Sequence, residues 1–349
     1  MSTSAGVWEV VPTWHGRRPM RMRARIAAGF LACLLAGTWA APPASAAEGD
    51  DAVRVMTITD ERIVESSGLA VSRRHPGVLY THNDSSGRAE IFAVGPDGRT
   101  RAVIRLAGAG ARDWEGMAAG VDERGRPALY VADIGDNLGG AWPYVTVYRV
   151  PEPARLRDQT LRATAFRFKY ADGPRNAETF MINPRTNRLY VASKLLAGGV
   201  YEAPARLRTT GFNTLRRIGS APAMATDGAF SPDGRTLVIR TYWSAQVYAF
   251  DDRAEDKLDP LARVDLPRQE QGESITYAAD GRSLLAGSEG SAQPVWRVPL
   301  PGRTLPAPTA TPAPDTAAER DRPDNRNVGL ALVIGIALAL GYGVLRRRS

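Results

Sequence analysis

A pattern that returns roughly every fifty residues restricts this chain more than any other feature. Five segments each open on a small or acidic residue, run through an apolar stretch, turn, and continue in further apolar stretches. They are SSGLAVSRRHPGVLYTHND, WEGMAAGVDERGRPALYVAD, AETFMINPRTNRLYVASK, TDGAFSPDGRTLVIRTY and GESITYAADGRSLLAGSE. Aligning Ser67, Glu115, Glu178, Asp227 and Glu273 gives spacings of 48, 63, 49 and 46 residues, the period of a four-stranded propeller blade. One such unit cannot bury its own apolar face, so stability has to come from stacking on its neighbours. The long interval holds an inserted loop around Asn137–Tyr144 and a PEPARLRD connection from Pro151.

Turn chemistry divides each unit further. Pro96-Asp97-Gly98, Glu123-Arg124-Gly125, Pro232-Asp233-Gly234 and Asp280-Gly281 supply residues that tolerate tight-turn geometry. Fourth strands follow as TRAVIRL, TAFRFKY, TLRRIG and LARVDL, while the fifth unit ends at Val298 without one. The matching segment, AVRVMTI from Ala52 to Ile58, precedes the first unit. N-terminal and C-terminal strands would then share a blade, and closing the ring removes exposed sheet edges. The expected fold is all-β: a β-propeller of five four-stranded blades over residues 47–300, closed by its terminal strands. A sandwich or barrel would also show short strands but would not need this period.

NPRTNRLYVAS resembles the YVTN-type repeats of secreted bacterial propellers, and SPDGRTLVI and AADGRSLLAG resemble TolB and WD-like blade turns. DWEGMA with LYVADIGDN is similar to secreted propellers described as phytase-esterase-like. The resemblance covers about residues 52–300 and implies fold and extracytoplasmic binding; enzymatic relatives enter by analogy alone.

The ends predict the compartment. A basic stretch from Arg17 to Arg25, an apolar run from Ile26 to Ala41 and Ala44-Ser45-Ala46 have the three-part layout of a signal peptide over 1–46. Pro301–Asn327 is rich in proline and small residues and reads as an extended stalk. Residues 328–345 carry no charge over 18 residues, enough for a transmembrane helix, and a basic tail follows at 346–349. With an exported N-terminus that tail stays cytoplasmic, giving a single-pass cell-membrane protein with an extracellular ectodomain. The net charge of +8 belongs mostly to these ends, since residues 1–46 hold five arginines and one glutamate and the terminus three more arginines. About +1 remains for the rest, which argues against a nucleic-acid partner. The single cysteine, Cys33, lies in the expected signal peptide, so disulfides and thiol chemistry are excluded from the mature chain.

In a four-stranded antiparallel blade the start of the first strand and the end of the second share one sheet edge. Glu115, Glu178, Asp227 and Glu273 would therefore ring the mouth of the central channel, with Asp133 beside them as further candidate metal ligand. His82, Asn83, Asp84, Asp136, Asn137, Trp142, Lys194, Arg240, Tyr242 and Glu289 would line the same mouth as ligand-binding candidates. Such crowding must be relieved by protonation, cationic partners or a metal. Three readings stay open: Lys194, Arg240 and backbone amides satisfy the acids, which pin loops; a hard cation such as Ca²⁺ binds them; or they catalyse. Paraoxonase-like propellers, by resemblance, favour the second.

No G-x-S-x-G, H-E-x-x-H, Walker or G-x-G-x-x-G signature is present. His82 is a candidate base, and DIGDNLGG has spaced oxygens without EF-hand spacing. Trp142 and Tyr144 are suited to stacking on sugars or on a protein partner. The expected function is a monomeric, membrane-anchored binding or interaction module for an extracellular ligand, protein or cell-envelope glycan. The alternative is a calcium-dependent hydrolase of an ester, lactone or phosphate.

Overall fold

The computed structural model describes residues 51–304 apart from Ser86. The expected signal peptide, transmembrane segment 328–345, basic tail and nearly all of the stalk lie outside the described residues. Among the described residues no helix is long and apolar enough to cross a membrane.

The described chain is built of strands in antiparallel groups, a β-propeller. Strand β1 (Val53–Thr57) comes first, followed by β2 (Ser66–Val71), β3 (Leu79–Asn83), β4 (Glu90–Val94) and β5 (Thr100–Ala107). Then come β6 (Trp114–Val121), β7 (Pro127–Asp133), β8 (Val145–Pro151), β9 (Gln159–Arg162) and β10 (Thr164–Tyr170). β11 (Ala177–Ile182), β12 (Leu189–Ser193), β13 (Gly199–Glu202) and β14 (Asn213–Ser220) form the next group. β15 (Asp227–Phe230), β16 (Thr236–Arg240), β17 (Ser244–Phe250) and β18 (Leu258–Asp265) follow. The last are β19 (Ile275–Tyr277), β20 (Ser283–Ala286) and β21 (Pro294–Pro299), and β1 pairs antiparallel with β21 to complete their sheet. The fourth strands expected from TRAVIRL, TAFRFKY, TLRRIG and LARVDL are β5, β10, β14 and β18.

The first strands pack on one another in a ring: β2 on β6, β6 on β11, β11 on β15, β15 on β19 and β19 on β2. Close approach explains the small residue after each aligned position, Gly68, Gly116, Thr179, Gly228 and Ser274. A Cβ at Gly116 would sit 2.8 Å from the Phe180 Cβ on the next first strand. Apolar clusters fill the spaces between successive groups, for example Tyr130, Val147 and Phe168 against Phe180, Val191 and Leu215. This is how a unit that cannot stand alone gains its core from its neighbours.

The long repeat interval has a structural cause. After β8 the chain crosses back, and β9 pairs parallel with β5, adding an outer strand to the first group before β10 returns to its own. The buried Glu152 anchors this crossing by accepting hydrogen bonds from Ser72 Oγ (2.5 Å) and from the Arg73 and Arg74 amides. A short parallel pairing of β10 with β14 joins two groups into an eight-stranded sheet. Both additions cover strand edges.

The turn expectations follow the backbone. Gly98, Gly125, Gly234 and Gly281 all take positive φ, and Asn187, with φ of 53°, does the same in NPRTN, where no glycine is present.

Candidate functional site

Strand register brings together the two sets of candidate positions. Ser66 pairs with Asn83, Trp114 with Asp133, Ala177 with Ser193 and Asp227 with Arg240. In the first three groups the register then shifts, and the extra residue is Ser67, Glu115 or Glu178. A bulge of this kind re-aims a side chain. The fourth group has no such shift next to Asp227, which stays in the regular ladder.

The bulge separates Asp227 from the other acids. Asp227 is fully buried, one carboxylate oxygen accepts the Ile275 amide at 2.7 Å, and burial pushes the group well above the usual carboxylate range. It ties one first strand to the next. Its ladder partner Arg240 is also fully buried, and its guanidinium donates to the Ser274, Gly287 and Thr241 carbonyls and to Gln269 Oε1. Burial lowers Arg240 to about 10. Both side chains are fully buried in the ladder rather than open at a mouth, and the second Asp227 oxygen has no hydrogen-bond partner among the described residues.

His82 and Asn83 are not at the mouth either. His82 is fully buried, its ring lies edge-on to Trp114 at 5.8 Å, and burial lowers it to about 4. A Cβ on Gly68 would meet its Nε2 at 2.8 Å, so no substrate can reach a base there. Asn83 accepts the Val64 and Glu65 amides and donates to the Arg62 carbonyl, pinning the loop after β1.

The remaining acids gather. Asp84, Asp113 and Glu115 each offer an oxygen within 4.8 Å of the others. Burial, then the charge of Asp113, push Asp84 up to about 8. Glu115 is raised by its burial and by Glu178. Ser67 Oγ donates to Glu115 at 3.4 Å, and the backbone of Gly135 passes so close that a Cβ there would collide with the Asp113 and Glu115 carboxylates. The DIGDN segment therefore closes one wall. Asp136 is 1% exposed, accepts the Trp142 amide at 2.9 Å, and has its second oxygen buried without a partner. Asp133 accepts the Asp113 amide at 3.2 Å and stands 3.3 Å from Arg112 Nη2.

Across the mouth the situation is different. Lys194 Nζ lies 2.6 Å from Glu178 Oε1 and 5.0 Å from the Tyr242 ring centre. Burial alone would lower Lys194, but Glu178, Tyr242 and Glu273 raise it above its ordinary value. Glu273 is buried with one oxygen unpartnered, and Glu289 is pushed up to about 7 by burial and by Glu273. Gln271 bridges them, donating to Glu289 at 2.5 Å and to Glu273 at 3.3 Å. Beyond the acids, the space of about 240 Å³ inside the first strands has a mixed lining, with Leu69, Met117 and Met181 beside Ser72, Arg73 and Thr276.

Trp142 lies beneath the Arg112 guanidinium at 4.4 Å, and Tyr144 packs on Phe212 at 5.5 Å. Tyr144 keeps 37% of its surface exposed and borders a small pocket with Trp142, while Trp243 is 72% exposed. Asn137 is exposed on the same loop and outside the cluster.

Sequence reasoning missed Asp113, and with it the tightest group of oxygens. A signal existed: the position two residues before each aligned one reads Glu65, Asp113, Asn176, Ala225 and Gln271, polar in four units of five. Asn176 accepts the Asp136 amide at 2.7 Å, and Glu65 accepts from Ser85.

No family model and no curated protein matches the chain. Among solved structures, a Xanthomonas campestris gluconolactonase, XC5397, aligns at 16% identity over 70% of this chain and 89% of its own, with a TM-score of 0.37. The Malassezia sympodialis allergen Mala s 1 aligns at 11% identity over 69% and 95%, with a TM-score of 0.48. The Pseudomonas aeruginosa periplasmic gluconolactonase PpgL aligns at 18% identity over 67% and 69%, with a TM-score of 0.37.

Proposed function

We propose that the chain is an exported five-bladed propeller, tethered by residues 328–345, that binds a divalent cation at its channel mouth and through it an extracytoplasmic ligand. The observation that carries this reading is the convergence of Asp84, Asp113 and Glu115, which make no salt bridge among the described residues although Arg112 and Lys194 lie near enough to act on them. Carboxylate oxygens suit a hard ion such as Ca²⁺. The unpartnered oxygen of the buried Asp136 and the glycine wall at Gly135 support a space kept for something small and positive. The repeats would be of the YVTN or TolB kind, as NPRTN and SPDGR suggest.

Asp84 and Glu289, raised to about 8 and about 7, favour a second reading in which these carboxyls trade protons during hydrolysis of an ester, lactone or phosphate. A bound cation would polarise the substrate oxygen, and the protein would contribute the proton donor.

Calorimetric titration of Ca²⁺ into the chelator-treated full chain tests the cation. One ion per chain, lost in Asp113→Asn, is expected; no heat from either protein overturns the reading. Turnover of a lactone and ester panel, with the same variant as control, decides between binding and hydrolysis. Cleavage of the ectodomain by external protease on intact cells tests the orientation, and protection would reject it.

A further inference from the structure

The connection between β16 and β17 is a tight turn closed by the Thr241 amide donating to the Ser244 carbonyl at 2.7 Å. Its corner residues are Tyr242 and Trp243, where turns ordinarily place glycine, asparagine or aspartate. The Trp243 carbonyl accepts the Leu266 amide at 3.2 Å, so an indole that is 72% exposed stands on a fixed backbone. Apart from a tilted contact with the Tyr242 ring at 5.7 Å, this aromatic is held out into water and gains little from burial.

Trp243 borders a groove of about 1020 Å³ between β14 and the β17–β18 hairpin of the next group. With seven residues in β17, the wall runs about 23 Å at ~3.3 Å per residue. Gln246 lies along it with its amide nitrogen bonded to the Val247 and Ala262 carbonyls, which fixes the side chain and leaves Oε1 as a preset acceptor. Tyr248 is 7% exposed, and its hydroxyl makes no hydrogen bond among the described residues while its side chain lines the groove. The charges balance: Asp256 and Asp259 face Lys257 and Arg263, and Lys257 is held by Glu202 at 2.8 Å.

We propose that this groove binds a neutral oligosaccharide, with one sugar ring stacked on Trp243 and hydroxyls meeting Gln246 Oε1 and Tyr248 Oη. A sugar combines an apolar C–H face with a rim of donors and acceptors, which matches an indole face beside a fixed acceptor and an unused phenol. A polyanion would want a positive floor, which the balanced charges do not give; apolar residues such as Ile218, Ala245 and Leu258 line part of the groove, and the fixed acceptor and unused phenol beside them favour a sugar over a lipid. The proposal does not rest on the cation site.

Calorimetry on the full chain in detergent, with cellotetraose, chitotetraose and mannotetraose as probes, tests it. At least one is expected to bind at millimolar concentration or tighter, with the same affinity in calcium and in chelator. Trp243→Ala should weaken binding at least about tenfold, Trp243→Phe less, and Tyr248→Phe several-fold, about 1.4 kcal/mol corresponding to the tenfold loss. Trp243 is exposed, so the variants should keep the wild-type melting temperature. No binding of any probe up to about 10 mM, unchanged affinity in Trp243→Ala, or loss of binding in chelator overturns the proposal.

Discussion

The two halves of the channel mouth meet the same electrostatic problem with different solutions. On one side Glu178, Glu273 and Glu289 gather around Lys194, whose ammonium sits 2.6 Å from Glu178. On the other, Asp84, Asp113 and Glu115 converge without a salt bridge among the described residues, and Arg112 and Lys194 act on them only from a distance. Repeat symmetry alone would have treated both halves alike. The difference lies at the end of the second strand, which supplies Lys194 after β12 but Asp84 after β3. A single side chain thus decides whether a cluster of acids holds a direct ion pair or has none. This difference also assigns the competing readings of the acids: internal pairing describes Glu178, while a bound cation is proposed for Asp113.

Removing the internal cation should have the largest effect. Lys194→Met leaves Glu178 buried without its partner, and breaking a buried pair costs about 3–5 kcal/mol. A thermal melt of the variant measures this, and the double variant with Glu178→Gln should recover most of the loss. A single variant that melts like wild type would erase the distinction between the halves.

On the other side, Asp113→Asn should leave the calcium-free melt unchanged or higher while abolishing stabilisation by calcium. At one hundred times the dissociation constant that stabilisation is about 2.7 kcal/mol in wild type. Equal calcium responses in the two proteins would move the cation elsewhere.

pH acts on both halves at once. Folding raises Asp84 from 3.8 to about 8 and Glu289 from 4.5 to about 7, so the folded state holds protons that the unfolded chain releases. Their contribution is therefore complete below the unfolded values and is lost as pH rises through about 7 to 8. Melts in chelator should fall across this window, and calcium, which favours the ionised acids, should flatten the decline. A chelated protein that gains stability from pH 5 to 8 would contradict the shifts.

The smallest change expected is from Ser67→Ala. It removes one 3.4 Å hydrogen bond to Glu115, worth about 0.5 kcal/mol at that length. Calcium affinity measured by calorimetry should shift less than for any carboxylate variant, and a larger shift would make Ser67 a ligand in its own right.

Much of the fold could be read before any coordinates. The apolar stretches, the turn glycines and the orphan strand Ala52–Ile58 are local patterns whose pairing partners follow from the repeat, and β1 does pair with β21. The β9 crossing could not be anticipated, because QTLR carries no strong strand signal and gains its place only by covering the β5 edge. At the mouth, the sequence set acids of the first strands beside the ends of the second; Asp227 does pair with Arg240, whereas Asp133 pairs with Trp114 and leaves Glu115 in the bulge.

What the sequence determined by itself, then, was the period, the closing strand and the pairs of positions that share a sheet edge, since each depends on hydrophobic alternation and turn residues along the chain. Which of those side chains reach the mouth was decided by tertiary structure. The extra residue at Glu115 and Glu178, absent beside Asp227, turns equivalent letters toward opposite environments. Side-chain direction alternates with every residue along a strand, so a single bulge reverses the outcome, and a bulge depends on how a strand fits its neighbours in space.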